Sequence, residues 1–301
     1  MEIIPKDLIY IFSFISTWMS FSSIANAYLY SITSHSDNDI ATKHTYLSIS
    51  IGFLGVFTFF GIINCLAHLL GILLNYNLLI FIFSILLIIL NKKNIQDLML
   101  NMNIRLNRIV NISKEDLKLD AIKLMLLIAI ALQSFCLIIR VLLPVTHGDQ
   151  LGAYFYDSIQ IANFGSLSTI DFYKLGQGLR TDSFASFFDA FTLQLTNSWT
   201  ITRITRLIAL ILIVLTSIES AQQIFSVDLK KLLIIIALII SLPDIWDIGL
   251  SGKQDIYICA FEVTGISLTI IAFKLKNILN KIFLLSICLI IGIISIFSRL
   301  S

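Results

Sequence analysis

Proline, cysteine and charged residues are all scarce in this chain. Among its 301 residues are 3 prolines and 4 cysteines, and only 13% of the residues are charged. A soluble domain has roughly 25% charged residues, so this chain cannot cover its surface with polar groups. The composition therefore excludes a soluble enzyme, a disordered chain and a nucleic-acid binder. The net charge of +2 points to no strongly acidic or basic partner.

The cysteines give no sign of metal or redox chemistry. They stand singly inside apolar stretches, at Cys65, Cys136, Cys259 and Cys288. Zinc sites and dithiol redox centres need cysteines at close, regular spacing, such as CxxC. The chain has no CxxC, so the sequence predicts neither kind of site.

Long apolar runs dominate the chain, since 57% of the residues are hydrophobic and the mean hydropathy is +0.91. A helix needs about 20 apolar residues to cross a bilayer core. Because the runs are continuous and not alternating, helices and not barrel strands satisfy the backbone. We predict an all-α polytopic bundle of about eight transmembrane helices. The predicted spans are 8–30, 46–72, 74–91, 121–143, 203–224, 231–246, 256–273 and 281–298.

The basic residues predict the orientation of the bundle. Cytoplasmic loops of membrane proteins are enriched in Lys and Arg. The stretch 92–123 holds seven such residues, which predicts a cytoplasmic loop with a short surface helix. Two more cytoplasmic turns are marked by lysines. Lys230 and Lys231 mark one, and Lys274, Lys276 and Lys281 mark the other. By alternation, the loops 144–202 and 247–255 and the N-terminus lie outside the cytoplasm.

The long outer loop contains a predicted amphipathic helix at 183–198. One face carries Phe184, Phe187, Phe188, Phe191 and Leu195, and the other carries Ser186, Asp189 and Thr192. Such a pattern is typical of a helix that lies in the membrane interface. We therefore expect interfacial helices in this loop.

Two carboxylates lie at membrane edges on this predicted outer side. Asp149 follows the fourth span, and Asp255 stands at the mouth of the seventh. Ionisable residues at such depth are costly and often functional. The pair is therefore a candidate catalytic constellation.

The order of these loops resembles the GT-C superfamily of polytopic membrane glycosyltransferases, in particular bacterial members related to protein mannosyltransferases and Rgt-type lipopolysaccharide-core enzymes. The first outer motif of the superfamily is matched in kind by Leu143-Pro144, Asp149, Leu151 and Tyr154. A later motif is matched by Ser251-Gly252-Lys253-Gln254-Asp255. The resemblance covers about 121–273. It divides the chain into N-terminal transmembrane helices with the cytoplasmic loop, 1–120, and a GT-C-like core with both outer loops, 121–301.

The sequence also departs from the superfamily pattern. Val145 replaces a second proline, Tyr154 comes one position late, and Phe155 stands where a histidine often follows. The chain ends at Ser301, shortly after the eighth predicted span, whereas members usually continue with further spans. We therefore expect a compact or truncated member, or one whose activity needs a partner chain.

The resemblance implies sugar transfer from a polyprenyl-phosphate donor to a lipid-linked or cell-envelope glycan acceptor, by inverting displacement. Asp149 is then the general base. Asp255 orients the acceptor, helps to bind a divalent cation or holds Asp149. The implied substrate-binding residues are Tyr154, Lys253, Arg180 and His147, of which Lys253 and Arg180 meet the donor phosphate. No cofactor other than a divalent cation is implied. The implied location is the bacterial inner membrane, with the active face outside the cytoplasm.

Simpler interpretations of the same residues stay open. Asp149 fits a solvated loop carboxylate, and Asp255 fits a helix N-terminal residue favoured by the helix dipole. Arg203 and Arg206 fit either a second phosphate site or snorkelling interface anchors. For the whole chain, the alternatives to an enzyme are a transporter or flippase for lipid-linked glycans and a non-catalytic membrane subunit.

Overall fold

The computed structural model describes residues 6–33, 44–70, 76–115, 121–142, 158–159, 161–162, 184–196, 198–224, 229–242 and 255–299. Within these segments the chain is helical and has no β-strand. The helices with described bounds are α1 (Lys6–Thr33), α2 (Thr45–Leu70), α3 (Tyr76–Glu115), α4 (Ala121–Leu142), α5 (Phe184–Thr196), α6 (Trp199–Ile224), α7 (Leu229–Ser241), α8 (Asp255–Lys274) and α9 (Ile278–Arg299).

Seven of these described helices are long and apolar enough to cross a membrane. They are α1, α2, α3, α4, α6, α8 and α9. The predicted polytopic helical bundle is therefore confirmed. The predicted sixth span corresponds to α7, whose described part has 13 residues, fewer than the about 20 residues of a full crossing.

The third span differs from its prediction. We predicted that it ends at residue 91 and that a loop with a short surface helix follows, but α3 continues without a break to Glu115. Its candidate span reaches Arg105. The physical reason is that 76–115 contains no glycine or proline to stop the helix. Lys92 and Lys93 are therefore exposed residues of a helix.

The helices differ in how much of their surface is covered by protein. In the most apolar windows of α2, α6 and α8, 56% of the residues are buried, against 6% in α4 and 11% in α3. The exposed side chains of α4 are large and apolar, including Met125, Leu132 and Phe135. Such a surface is stable only against lipid, so α3, α4 and α9 form the periphery and α2, α6 and α8 the centre.

The core joins helices from both ends of the sequence. An aromatic cluster, which we define as Phe57, Phe60, Phe188, Phe191 and Tyr257, connects α2, α5 and α8 with ring centroids 4.7–5.8 Å apart. The predicted division of the chain at 120/121 stays a prediction, and helices from both parts share this core.

The crossing of α1 and α2 depends on a glycine. A Cβ added to Gly52 would lie 2.5 Å from the backbone nitrogen of Ser22 and 2.7 Å from its Cα. No side chain can replace a hydrogen there without moving a helix. Small residues allow this kind of close backbone approach between membrane helices, and it brings α1 against the aromatic cluster.

Candidate functional site

Asp255 is the candidate site residue that the structure describes. It is the first residue of α8 and its side chain is exposed. The other predicted site residues, Asp149, His147, Tyr154, Arg180 and Lys253, lie outside the described residues. Their proximity to Asp255 stays a prediction.

Directly behind Asp255, the first turn of α8 enters the core. Ile256 and Tyr257 are 3% and 1% exposed. An acidic residue at a helix start is favoured by the helix dipole, and the first-turn N–H groups are available to an anion or to a capping side chain. Asp255 therefore combines access to solvent with a well-packed support.

A buried charged cluster holds that support in place. We call it the Asp189 network; its members are Asp189 on α5, Thr205 and Arg206 on α6, and Tyr257 on α8. Arg206 donates through Nη2 to Oδ2 of Asp189. The Tyr257 hydroxyl donates to Oδ1 of Asp189 at 3.3 Å and shares a 2.8 Å hydrogen bond with Oγ1 of Thr205. One carboxylate thus joins three helices.

Apolar and aromatic groups surround the Asp189 network. The guanidinium carbon of Arg206 lies 5.9 Å from the centroid of the Tyr257 ring. On the next turn of α5, Oγ1 of Thr192 shares a 2.8 Å hydrogen bond with the hydroxyl of Tyr10 on α1. Loss of either partner of a charge pair in such surroundings would leave the other charge buried without compensation.

The two arginines at the start of α6 differ from their predicted roles. Arg206 is 0% and Arg203 4% exposed, and Arg203 donates through Nη2 to the backbone carbonyl of Arg140 on α4. Protein encloses both side chains, whereas a snorkelling side chain keeps its charged end in water, so the snorkelling interpretation is wrong. The carboxylate of Asp189 also occupies the position at Arg206 where the alternative interpretation placed a donor phosphate.

The predicted amphipathic helix is confirmed as a helix, at Phe184–Thr196. Its environment was not predicted correctly, because its polar face is buried as deeply as its apolar face. Ser186, Asp189 and Thr192 are all 0% exposed. The amphipathic pattern arises because one side packs on aromatic rings while the other makes polar contacts with protein. It does not arise from a boundary between water and lipid.

A second charged cluster lies further along α6. We call it the Glu219 network; its members are Tyr46 and the Leu47 amide on α2, Arg105 on α3, and Glu219 and Gln222 on α6. Arg105 donates to Glu219 at 2.9 Å and to Gln222 at 3.0 Å. The Leu47 N–H donates to Oε2 of Glu219 at 2.6 Å.

The Glu219 network stabilises the start of α2. The first N–H groups of a helix have no partner within the helix, and the carboxylate of Glu219 supplies one from a neighbouring helix. Close by, Gln223 contacts Nδ1 of His44 at 3.0 Å, and Lys274 donates to the carbonyl of Gln223 at 2.6 Å. Arg105 and Glu219 thus form an ion pair that joins α3 to α6 beside the start of α2.

Within the described segments, no three His, Cys, Asp or Glu side chains come together as a metal site. Asp149, which we predicted to share a cation with Asp255, lies outside the described residues. The described part of the candidate site is thus one exposed carboxylate, Asp255, on a helix start that the Asp189 network holds.

These features define a multi-pass helical membrane protein with two buried charge networks on one central helix. No family model matches the chain, and no curated protein or solved structure is significantly similar to it.

Proposed function

We propose that the protein is a membrane glycosyltransferase of the GT-C type, which moves a sugar from a polyprenyl-phosphate donor to a lipid-linked or cell-envelope glycan. The observation that carries the proposal is the position of Asp255. Its carboxylate is exposed at the start of α8, two residues before Tyr257, which is bound to the buried Asp189. A reacting group on a rigid helix end is held more accurately than one on a loop.

The proposed reaction is a single displacement. Asp149 removes the proton from the acceptor hydroxyl, whose oxygen then forms a bond to the anomeric carbon of the sugar. The bond from that carbon to the phosphate oxygen breaks, and polyprenyl phosphate leaves. Since phosphate is a good leaving group, the base on the acceptor side contributes the larger part of the acid–base catalysis. Asp255 orients the acceptor or shares a divalent cation with Asp149.

In this proposal, the Asp255 end of α8 faces away from the cytoplasm, in a bacterial plasma membrane. The distribution of Lys and Arg supports that orientation, because Lys274, Lys276 and Lys281 lie at the opposite end of α8. Lys253 and Arg180 then meet the donor phosphate from the outer side. Tyr154 and His147 contact the substrate beside Asp149.

The test is sugar transfer in membranes that contain the full chain and a radiolabelled polyprenyl-phosphate sugar. Asp149→Asn keeps the size of the side chain and removes the base, so transfer should fall by about 10²–10⁴-fold. Asp255→Asn should also lower transfer, and excess divalent cation should restore part of it if Asp255 binds a metal. The protein level in the membrane should hardly change for Asp255→Asn, since Asp255 is exposed and its substitution leaves the packed core intact.

A matched control is Asp7→Asn. Asp7 is an exposed acidic residue in the first turn of α1, so it shares the local setting of Asp255 without the proposed role. Transfer should stay at the wild-type level in this variant. Wild-type transfer in Asp149→Asn would contradict the proposed base, and equal losses in Asp7→Asn and Asp255→Asn would contradict a specific role of Asp255.

One observation favours a second candidate, a transporter or flippase for lipid-linked glycans. Arg206 and Glu219 lie inside a candidate membrane helix, and buried ionisable groups at such positions often mark a substrate or ion path. Arg206 and Glu219 are 13 residues apart on α6, or about 20 Å along its axis. Movement of a labelled lipid between leaflets of proteoliposomes, without sugar transfer, would support this candidate. Absence of both activities would favour a non-catalytic membrane subunit.

A further inference from the structure

The short helix α5 enters the bundle from one side. Arg203, near the start of α6, donates to the backbone carbonyl of Arg140, near the end of α4. The end of α4 and the start of α6 are therefore neighbours, so the segment between them, which contains α5, leaves and returns on the same side of the bundle. The distribution of Lys and Arg predicts that this side faces away from the cytoplasm.

From that side, α5 reaches the middle of the membrane-spanning region. The ring centroid of Phe188 lies 4.7 Å from that of Phe57, which is near the middle of the candidate span Thr45–Ala67 of α2. With 13 residues, α5 is about 20 Å long and too short to cross a bilayer core of about 30 Å. It is therefore a re-entrant helix, an element that is stable only when protein or a water-filled cavity surrounds it.

Polar side chains of four helices converge on α5. One side chain from each of α1, α2, α6 and α8 makes a hydrogen bond to α5; they are Tyr10, Asn64, Arg206 and Tyr257. The amide of Asn64 donates to the backbone carbonyl of Phe187 at 2.7 Å. Rings of the aromatic cluster supply the apolar walls. Ligand pockets combine such walls with a few convergent polar groups, so the space that α5 fills has the composition of a pocket.

The helices around this pocket also contact one another directly. Oγ of Ser50 on α2 shares a 2.5 Å hydrogen bond with Oγ1 of Thr216 on α6. Oγ of Ser220 on α6 shares one of 2.6 Å with Oγ of Ser267 on α8. Gly52 brings α2 directly against α1. Withdrawal of α5 would therefore leave these contacts among α1, α2, α6 and α8 in place.

The contacts of α5 are of the kind found in interfaces that open. Interfaces between units that move relative to each other are more polar than permanent ones. The enclosed pair of Arg206 and Asp189 adds little stability compared with well-packed apolar side chains. Both charges are hydrated when water enters the space that α5 leaves, so neither is left bare in a dry medium. The pair therefore suits a helix that docks reversibly.

We propose that α5 is a re-entrant gate, which fills a polar pocket in the predicted outer half of the bundle and withdraws as a unit toward the side from which it enters. The structure describes the closed state, in which the carboxylate of Asp189 covers Arg206. Withdrawal opens the pocket to water and to ligands from the entry side. The proposal stands independently of the proposed function.

The test measures how fast a buried position on α5 meets a charged thiol reagent. In a chain whose four native cysteines are replaced by alanine, Ser186→Cys places one thiol on α5, where Ser186 is 0% exposed. Sulfonatoethyl methanethiosulfonate, which does not cross membranes, is applied to intact cells and to inverted vesicles. In intact cells, Ser186→Cys should react about tenfold faster than a matched control, because a local opening costs less free energy than opening of the whole bundle.

The matched control is Ser84→Cys. Ser84 is also 0% exposed, and it lies on α3, which packs mainly on α1. Equal rates at the two positions would overturn the proposal, since the bundle would then open as a whole. Absence of reaction at Ser186→Cys, or its reaction only in inverted vesicles, would overturn it as well.

A second variant weakens the closed state alone. Tyr257→Phe removes one hydrogen bond to Asp189, so Ser186→Cys should react about fivefold faster, the change expected for one hydrogen bond. Tyr28→Phe removes a hydroxyl from a ring that packs on α9 and should leave the rate unchanged. If Tyr257→Phe accelerated Ser84→Cys as much as Ser186→Cys, the substitution would loosen the whole bundle, and the gate would be wrong. An unchanged rate of Ser186→Cys in Tyr257→Phe would also contradict it.

Discussion

The two charge networks on α6 use the same chemistry in different surroundings. In the Asp189 network, the side chains of Arg206 and Asp189 are both 0% exposed. In the Glu219 network, the side chain of Arg105 is 11% exposed and that of Glu219 is 1% exposed. One pair is thus enclosed completely, and the other reaches solvent or headgroups through its arginine.

The difference teaches what each pair can do. Compared with well-packed apolar side chains, an enclosed ion pair adds little to the free energy of unfolding. Loss of one partner, however, leaves an unpaired charge in a medium of low dielectric constant. Loss of either charge in the Asp189 network should therefore strongly destabilise the packing of α5, α6 and α8. In the Glu219 network, the exposed edge of Arg105 can be hydrated. Loss of its partner should therefore destabilise the packing of α2, α3 and α6 less.

The largest expected effect comes from removing one partner of the enclosed pair. Asp189→Leu leaves the guanidinium of Arg206 buried without its carboxylate, so the free energy of unfolding should fall by about 3–5 kcal/mol. The measurement is denaturation by SDS in mixed micelles, followed by circular dichroism. The double variant Asp189→Leu with Arg206→Met replaces the pair by apolar side chains and should recover most of the loss.

If Asp189→Leu cost less than about 1 kcal/mol, the pair would behave like a solvent-exposed ion pair, and the contrast between the two networks would fail. A double variant as unstable as the single one would also contradict the model, because the cost would then arise from shape and not from charge.

Apolar run length predicts most of the fold. Six predicted spans agree with α1, α2, α4, α6, α8 and α9 to within four residues at each end. The end of α3 was wrong, since the change to polar residues after Leu90 suggested a loop. A change from apolar to polar residues does not by itself end a helix, and α3 continues through this change to Glu115.

The charge networks show why the rest was not predictable. The sequence placed Asp189 on the polar face of its helix and left Arg206 as either a phosphate site or an interface anchor. Periodicity assigns a residue to a face, but the opposing residue depends on tertiary packing: Glu219 pairs with Arg105, which is 114 positions away. The one available signal was the coincidence of an Asp and an Arg 17 residues apart on adjacent helices.

A smaller effect is expected for the partly exposed pair. Arg105→Met removes the cation, but Glu219 keeps the hydrogen bond from the Leu47 amide, so unfolding should become easier by about 1–3 kcal/mol. Salt sharpens the comparison. The Debye length falls from about 10 Å at 0.1 M to 3 Å at 1 M. Salt should therefore lower the free energy of unfolding of the wild-type protein slightly, and that of Arg105→Met by a smaller amount. The salt dependence of Asp189→Leu should equal that of wild type, and a larger change would contradict the enclosed state of that pair.

The smallest expected effect is that of one hydroxyl in the Asp189 network. Tyr257→Phe keeps the ring in the aromatic cluster and removes the hydrogen bonds to Asp189 and Thr205, which should cost about 0.5–1.5 kcal/mol. If that hydroxyl fixes the first turn of α8, amide hydrogen exchange at 255–260 should become faster while exchange in the middle of α8 stays unchanged. Tyr28→Phe is the matched control, since the Tyr28 ring packs on Phe283 with centroids 5.2 Å apart, far from α5. Unchanged exchange at the start of α8 in Tyr257→Phe would mean that apolar packing alone positions Asp255, and the Asp189 network would then stabilise the bundle without supporting the candidate site.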